Sequence, residues 1–119
     1  MKSKKIYLAV LVIATVVLTA CGGGGQTTGV TVKAEDLKFT PNTLTAKVGD
    51  SVTVNLQNAG ALEHSFIIDE FSVRLEGVQP GQTGSVSFTP SAAGTYTFYC
   101  DVPGHKEAGM VGTMTVLAR

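Results

Sequence analysis

GTYTFYCDVPGHKEAGMVGTMTV, residues 94–116, is the stretch whose reading decides the fold. Tyr96 and Phe98 alternate with threonines at its start, Met114 and Val116 do so at its end, and Pro and Gly interrupt the middle. An apolar period of two places successive side chains on opposite faces of extended backbone. The stretch is therefore a strand, a turn-rich loop and a second strand, each strand with one face toward a core. The same period runs upstream through Val30, Val32 and Ala34, through Val52, Val54 and Leu56, and through Val86 and Phe88. Pro41-Asn42, Gly49-Asp50, Asn58-Ala59-Gly60, Pro80-Gly81 and Ala93-Gly94 separate the runs as turn signals. Segments near 30–34, 37–40, 43–48, 51–57, 63–70, 72–76, 83–88, 94–99 and 111–117 make seven to nine short strands. Helical periodicity is missing, apart from an ambiguous turn within 66–76. This pattern predicts an all-β domain, a two-sheet antiparallel sandwich of Greek-key type.

The loop between the last two strands carries the chemistry. Cys100, His105 and Met110 follow one another at five-residue intervals, and His64 lies on a strand upstream that a sandwich can set beside Cys100. Thiolate and thioether are soft donors that favour Cu(I), and imidazole accepts either oxidation state. Two histidines, one cysteine and a weak axial methionine form the trigonal set used for electron transfer at copper. Each residue also has an ordinary reading. Cys100 can be a small buried hydrophobe, His105 an exposed loop residue, and Met110 or Met114 mere core filling. Spacing favours Met110 as the donor, while the alternation of GTMTVL turns Met114 to the core. The loop's small residues, Pro103-Gly104 and Ala108-Gly109, lead to the expectation that His105 protrudes through an apolar surface as an electron port.

HSF at 64–66, PGQTGSVSFTPSAAGTYTFYC at 80–100 and the Cys-x4-His-x4-Met loop resemble the cupredoxins, the type 1 blue-copper family, and among them most the auracyanins and the azurin-type sites. The resemblance covers nearly all of 30–117. It implies one type 1 copper ion, with His64, Cys100 and His105 as equatorial ligands and Met110 as the axial one. Many members carry Asn directly after the first ligand histidine, where it ties the two ligand loops together. Here that residue is Ser65, whose hydroxyl can make a shorter version of the same bond. Glu63 and Ser65, on either side of His64, are the expected supports around the ligands.

Upstream of the domain, Lys2, Lys4 and Lys5 precede an uncharged, mostly apolar run from Ile6 to Ala20. Leu18-Thr19-Ala20-Cys21 looks like a bacterial lipobox, so residues 1–20 read as a lipoprotein signal cleaved before Cys21, whose thiol takes the lipid. The alternative is a retained helix, although a membrane span needs about 20 apolar residues. Residues 21–29, Cys21 and a Gly-rich segment, read as a tether with a mean reach of roughly 15 Å, and 30–119 as the domain. The expected address is extracytoplasmic, at the membrane surface.

With the signal removed, six cations face nine acids, a net charge of about −3. Lys33, Lys38, Lys47 and Lys106 are scattered, so there is no basic stripe for nucleic acid. Glu63, Asp69, Glu70, Glu76, Asp101 and Glu107 form no catalytic pair and read as solvated faces. Packing is the expected role of Tyr96 and Tyr99, one on each face of their strand. The only cysteines are Cys21 and Cys100; if the first carries lipid, the second has no disulfide partner.

Three functions follow: a monomeric electron carrier, a copper enzyme, and a copper chaperone or plain lipoprotein. An enzyme needs an open metal position, and both histidines of the chain are already used. The carrier is the expected function. Its partners would be redox proteins of a respiratory or photosynthetic membrane chain, a cytochrome or a quinol-oxidising complex. The chaperone is the alternative.

Overall fold

A computed structural model describes residues 25–119. The signal segment, Cys21 and the start of the tether lie outside them. Among the described residues, nine strands run in chain order: β1 (Thr27–Glu35), β2 (Lys38–Thr40), β3 (Thr43–Lys47), β4 (Ser51–Asn58), β5 (His64–Ile68), β6 (Val73–Val78), β7 (Thr83–Phe88), β8 (Gly94–Tyr99) and β9 (Val111–Leu117). They form two sheets, β2-β1-β4-β7 and β3-β9-β8-β5-β6. The ambiguous 66–76 region holds a single 3₁₀ turn at Asp69–Phe71, between two strands.

Two pairings differ from the antiparallel expectation: β1 runs parallel to β4, and β3 parallel to β9. Side-chain alternation is the same whichever way the neighbouring strand runs, so periodicity carries no information on direction. β1 also begins at Thr27, inside the segment expected as tether. Thr27, Thr28 and Gly29 pair with Ser51, Val52 and Thr53, a ladder of backbone hydrogen bonds that needs no apolar side chain.

The core lies between the sheets and takes the alternate residues that the sequence marks, among them Val32, Val54, Leu56, Met114 and Val116. Beneath the end that carries His64 and Cys100 sit three rings. Phe66 stacks on Phe98 at 4.9 Å between centroids, and Phe39 meets both edge-on at 6.1 and 5.3 Å. Such pairs contribute about 0.5–1.5 kcal/mol each beyond their buried area. β5 breaks alternation, because all five residues of HSFII are buried. Phe66 and Ile68 enter the central core and Ile67 is buried outside it, so the strand carrying His64 is covered on both faces.

At the far end Asp50, itself buried, gathers the chain. Its carboxylate accepts the backbone N–H of Gln26 at 3.2 Å and of Lys47 at 2.9 Å, and it pairs with Arg119 at 3.2 Å.

Candidate metal centre

His64 opens β5, after a loop organised by the buried side chain of Asn58. Its amide donates to the carbonyls of Leu62 (2.7 Å) and Val78 (2.8 Å) and accepts the N–H of Gly60 (2.9 Å). Cys100 follows the last residue of β8. The loop it begins is pinched at its base, where Tyr99 pairs with Val111 and the Cys100 N–H donates to the Met110 carbonyl at 3.2 Å. Inside, the His105 N–H donates to the Val102 carbonyl and the Met110 N–H to the His105 carbonyl, both at 3.0 Å. Gly104 and Gly109, with φ of 86° and 101°, precede His105 and Met110. Left-handed backbone at those two places lets a short loop turn both side chains inward.

The loop and β5 bring three donors together. Cys100 Sγ lies 3.4 Å from His105 Nδ1 and 3.9 Å from His64 Nδ1, and one donor atom from each residue falls within 4.8 Å of the others. First-row ions bind imidazole nitrogen at about 2.0 Å and thiolate at about 2.3 Å, which at tetrahedral or trigonal angles separates S from N by about 3.5–3.7 Å. The observed pair of distances brackets that value. Cys100, His64 and Met110 are fully buried and His105 is 7% exposed. His105 is therefore almost wholly covered and does not protrude as expected. Met110 is tied to both Cys100 and His105 through its backbone, and its side chain is fully buried in the core. The soft and intermediate donors fit one copper ion.

Polar groups around the donors are more specific than residue spacing suggests. The Ser65 N–H points at Cys100 Sγ (3.4 Å), while its hydroxyl donates to Asp101 Oδ1 (2.6 Å) and accepts the Asp101 N–H (2.8 Å). Ser65 thus links the two ligand strands. Asp101, expected on a solvated face, is half-buried and also takes Arg74 Nη2 at 2.6 Å. The Ser65 hydroxyl, then Arg74, hold its carboxyl below the usual aspartate range. Glu63 is exposed and has no hydrogen bond to the donors among the described residues. The carboxylate beside His64 belongs instead to Asp36, in the β1–β2 turn, with Oδ1 3.4 Å from His64 Nε2. Backbone N–H groups of Ala61, then Leu62, lower the Asp36 pKa, and burial pushes that of His64 down. Asp36 carries no spacing signal, since it reaches His64 only through the packing of a hairpin turn. Tyr96 and Tyr99 are both half-buried: Tyr96 packs against the core, and Tyr99 donates to Asp69 at 3.0 Å with Lys106 Nζ 3.9 Å above its ring.

A β-sandwich with a buried cysteine sulfur and two imidazoles converging at one end defines a mononuclear soft-donor metalloprotein of the blue-copper class. The chain belongs to the cupredoxin-like domain family, whose model matches residues 8–116. It is 30% identical to auracyanin-A of Chloroflexus aurantiacus, over 86% of this chain and 90% of that one. It is also 30% identical to the copper-resistant cuproprotein CopI of Rubrivivax gelatinosus, over 71% of this chain and 63% of the relative. Among solved structures, dithionite-reduced auracyanin of the photosynthetic bacterium Roseiflexus castenholzii superposes with a TM-score of 0.70 at 25% identity, over 78% of this chain and 99% of the other.

Proposed function

We propose that this chain carries single electrons at a copper ion that His64, Cys100 and His105 would hold, with the Met110 thioether as a fourth, weaker donor. The observation that carries the reading is the convergence of three buried donors, from β5 and from one loop, at separations a single ion can bridge. When bound, the ion supplies a Cu(I)/Cu(II) couple. The protein's part is to hold the donors still and dry. The stacked Phe66 and Phe98 fix the strands beneath, Ser65 and Asp101 tie the strands laterally, and the pinched loop base sets where Cys100 and Met110 stand. A donor set that need not move between oxidation states transfers electrons with little reorganisation. Both histidines of the chain belong to the set, leaving no imidazole for a second metal or a bound reactant. This favours a carrier over an enzyme.

The segment from Lys2 to Cys21 supports export and lipidation at Cys21, which would place the carrier outside the cytoplasm on a membrane. Its partners would then be a cytochrome or a quinol-oxidising complex of a respiratory or photosynthetic chain, met by a monomer. Similarity to a copper-resistance protein favours a second reading, a chaperone that stores or passes on copper.

Copper added to the purified chain is expected to give a strong visible thiolate-to-copper absorption, and Cys100→Ala to abolish it. Stopped-flow reduction then separates the readings. A carrier exchanges electrons within milliseconds and keeps its metal against a chelator, whereas a chaperone surrenders it. Absence of the band in the unaltered chain would refute both.

A further inference from the structure

Asp36 lies 28 residues before His64, yet its carboxylate is held against the outer edge of that ring by a set of backbone contacts. Oδ1 accepts the N–H of Ala61 at 3.0 Å and of Leu62 at 3.3 Å, and Oδ2 lies 3.3 Å from the same Ala61 nitrogen. The residue after it, Leu37, stands at φ 69°, a left-handed conformation that leucine seldom adopts and that persists only where its surroundings impose it. Gly60 closes over the pair. A Cβ there would collide with Asp36 Oδ1 and come within 3.0 Å of His64 Nε2, so the backbone approaches where no other residue fits. Asn58 Oδ1 fixes that approach by accepting the Gly60 N–H.

We infer that Asp36 is a positioning residue: it accepts the Nε2–H of His64, fixing the tautomer whose Nδ1 lone pair faces Cys100, and makes that nitrogen a stronger donor to the metal. A neutral imidazole has one N–H and one lone pair, and an acceptor at one nitrogen decides which is which. A carboxylate acceptor also feeds charge into the ring and raises its basicity. Stronger donation favours the higher oxidation state of a bound ion, so the effect of Asp36 is to lower the reduction potential. The inference rests on the copper reading for its electronic half, and on the geometry of Asp36 and His64 alone for the tautomer.

The test uses the whole chain in two forms. In the metal-free form, nitrogen NMR of ¹⁵N-histidine-labelled protein, at a pH well above the histidine range, reads the tautomer of His64 directly. The unaltered chain is expected to show the Nε2–H form almost alone. Asp36→Ala should lose that preference, and Asp36→Asn, which keeps an acceptor oxygen without the charge, should retain it. In the copper form, both variants should raise the reduction potential, the alanine more. Glu63→Gln removes a neighbouring charge without touching the ring, and should move the potential much less than either. Gly60→Ala keeps the carboxylate but displaces it, and should lose the tautomer preference as Asp36→Ala does; it serves where the latter fails to fold. An unchanged tautomer in both Asp36→Ala and Gly60→Ala overturns the inference. So does a potential that stays fixed, or one that Glu63→Gln shifts as far as Asp36→Ala. If the chain binds no copper the functional reading fails, while the metal-free measurement still decides whether Asp36 sets the tautomer.

Discussion

A serine hydroxyl has one hydrogen to donate. At Ser65 it goes to the Asp101 carboxylate at 2.6 Å and not to the Cys100 sulfur at 3.6 Å, since a short bond to an ionised acceptor is the stronger. Sulfur is left with the Ser65 backbone N–H. Ser65→Ala would therefore leave the Asp101 N–H without its oxygen, and is expected to cost about 1–3 kcal/mol. The cost should appear as a lower urea midpoint at unchanged slope. The visible band should survive, because the backbone N–H to sulfur survives. The three converging donors are legible in the amino-acid sequence, because their chemical types are rare in this chain and two of them share one loop. Asp36 and Asp101 are not. Each acts on a partner far away in sequence, and nothing in an isolated Asp tells a solvated carboxylate from one fixed by backbone N–H groups or by an arginine.

β8 and β9 show what an element contributes beyond its own residues. Phe98 pairs across the ladder with Gly112, and its ring lies over the glycine. A Cβ on Gly112 would run into that ring and come within 2.7 Å of the Asn42 carbonyl. Gly112→Ala should displace Phe98 from its stack with Phe66, at a cost of about 1–3 kcal/mol for overpacking. Phe98→Ala opens a void instead and should cost about 3–5 kcal/mol. Both are checked by chemical denaturation of the metal-free chain. If Gly112→Ala proves neutral, the close approach of ring and strand is not what holds this end together. The strands themselves are readable because period-two alternation reports burial of one face. Their directions are not, and neither is the full burial of β5, whose Ser65 would mark a solvent face by its type but lies against the ligand loop.

For the molecule as a whole, a ligand that binds only the folded state stabilises it by mass action. At about a thousand times its dissociation constant, copper would add about 4 kcal/mol. Melting of the loaded chain is thus expected well above that of the metal-free chain, and chelation should reverse the difference. Equal melting temperatures would mean that the donors do not hold the ion in the folded state. Overall charge is readable as a simple count. The clustering at Asp50 is not readable, because it joins Gln26, Lys47 and Arg119 from three separate parts of the chain. That cluster has an engineering corollary. Gln26 enters β1 at Asp50, whereas the donors lie past the other end of β1, about 30 Å away for nine extended residues. Fused or immobilised through either end of the described chain, on an electrode or on another protein, the domain would turn its donor-bearing tip away from the attachment point and toward whatever approaches from solution.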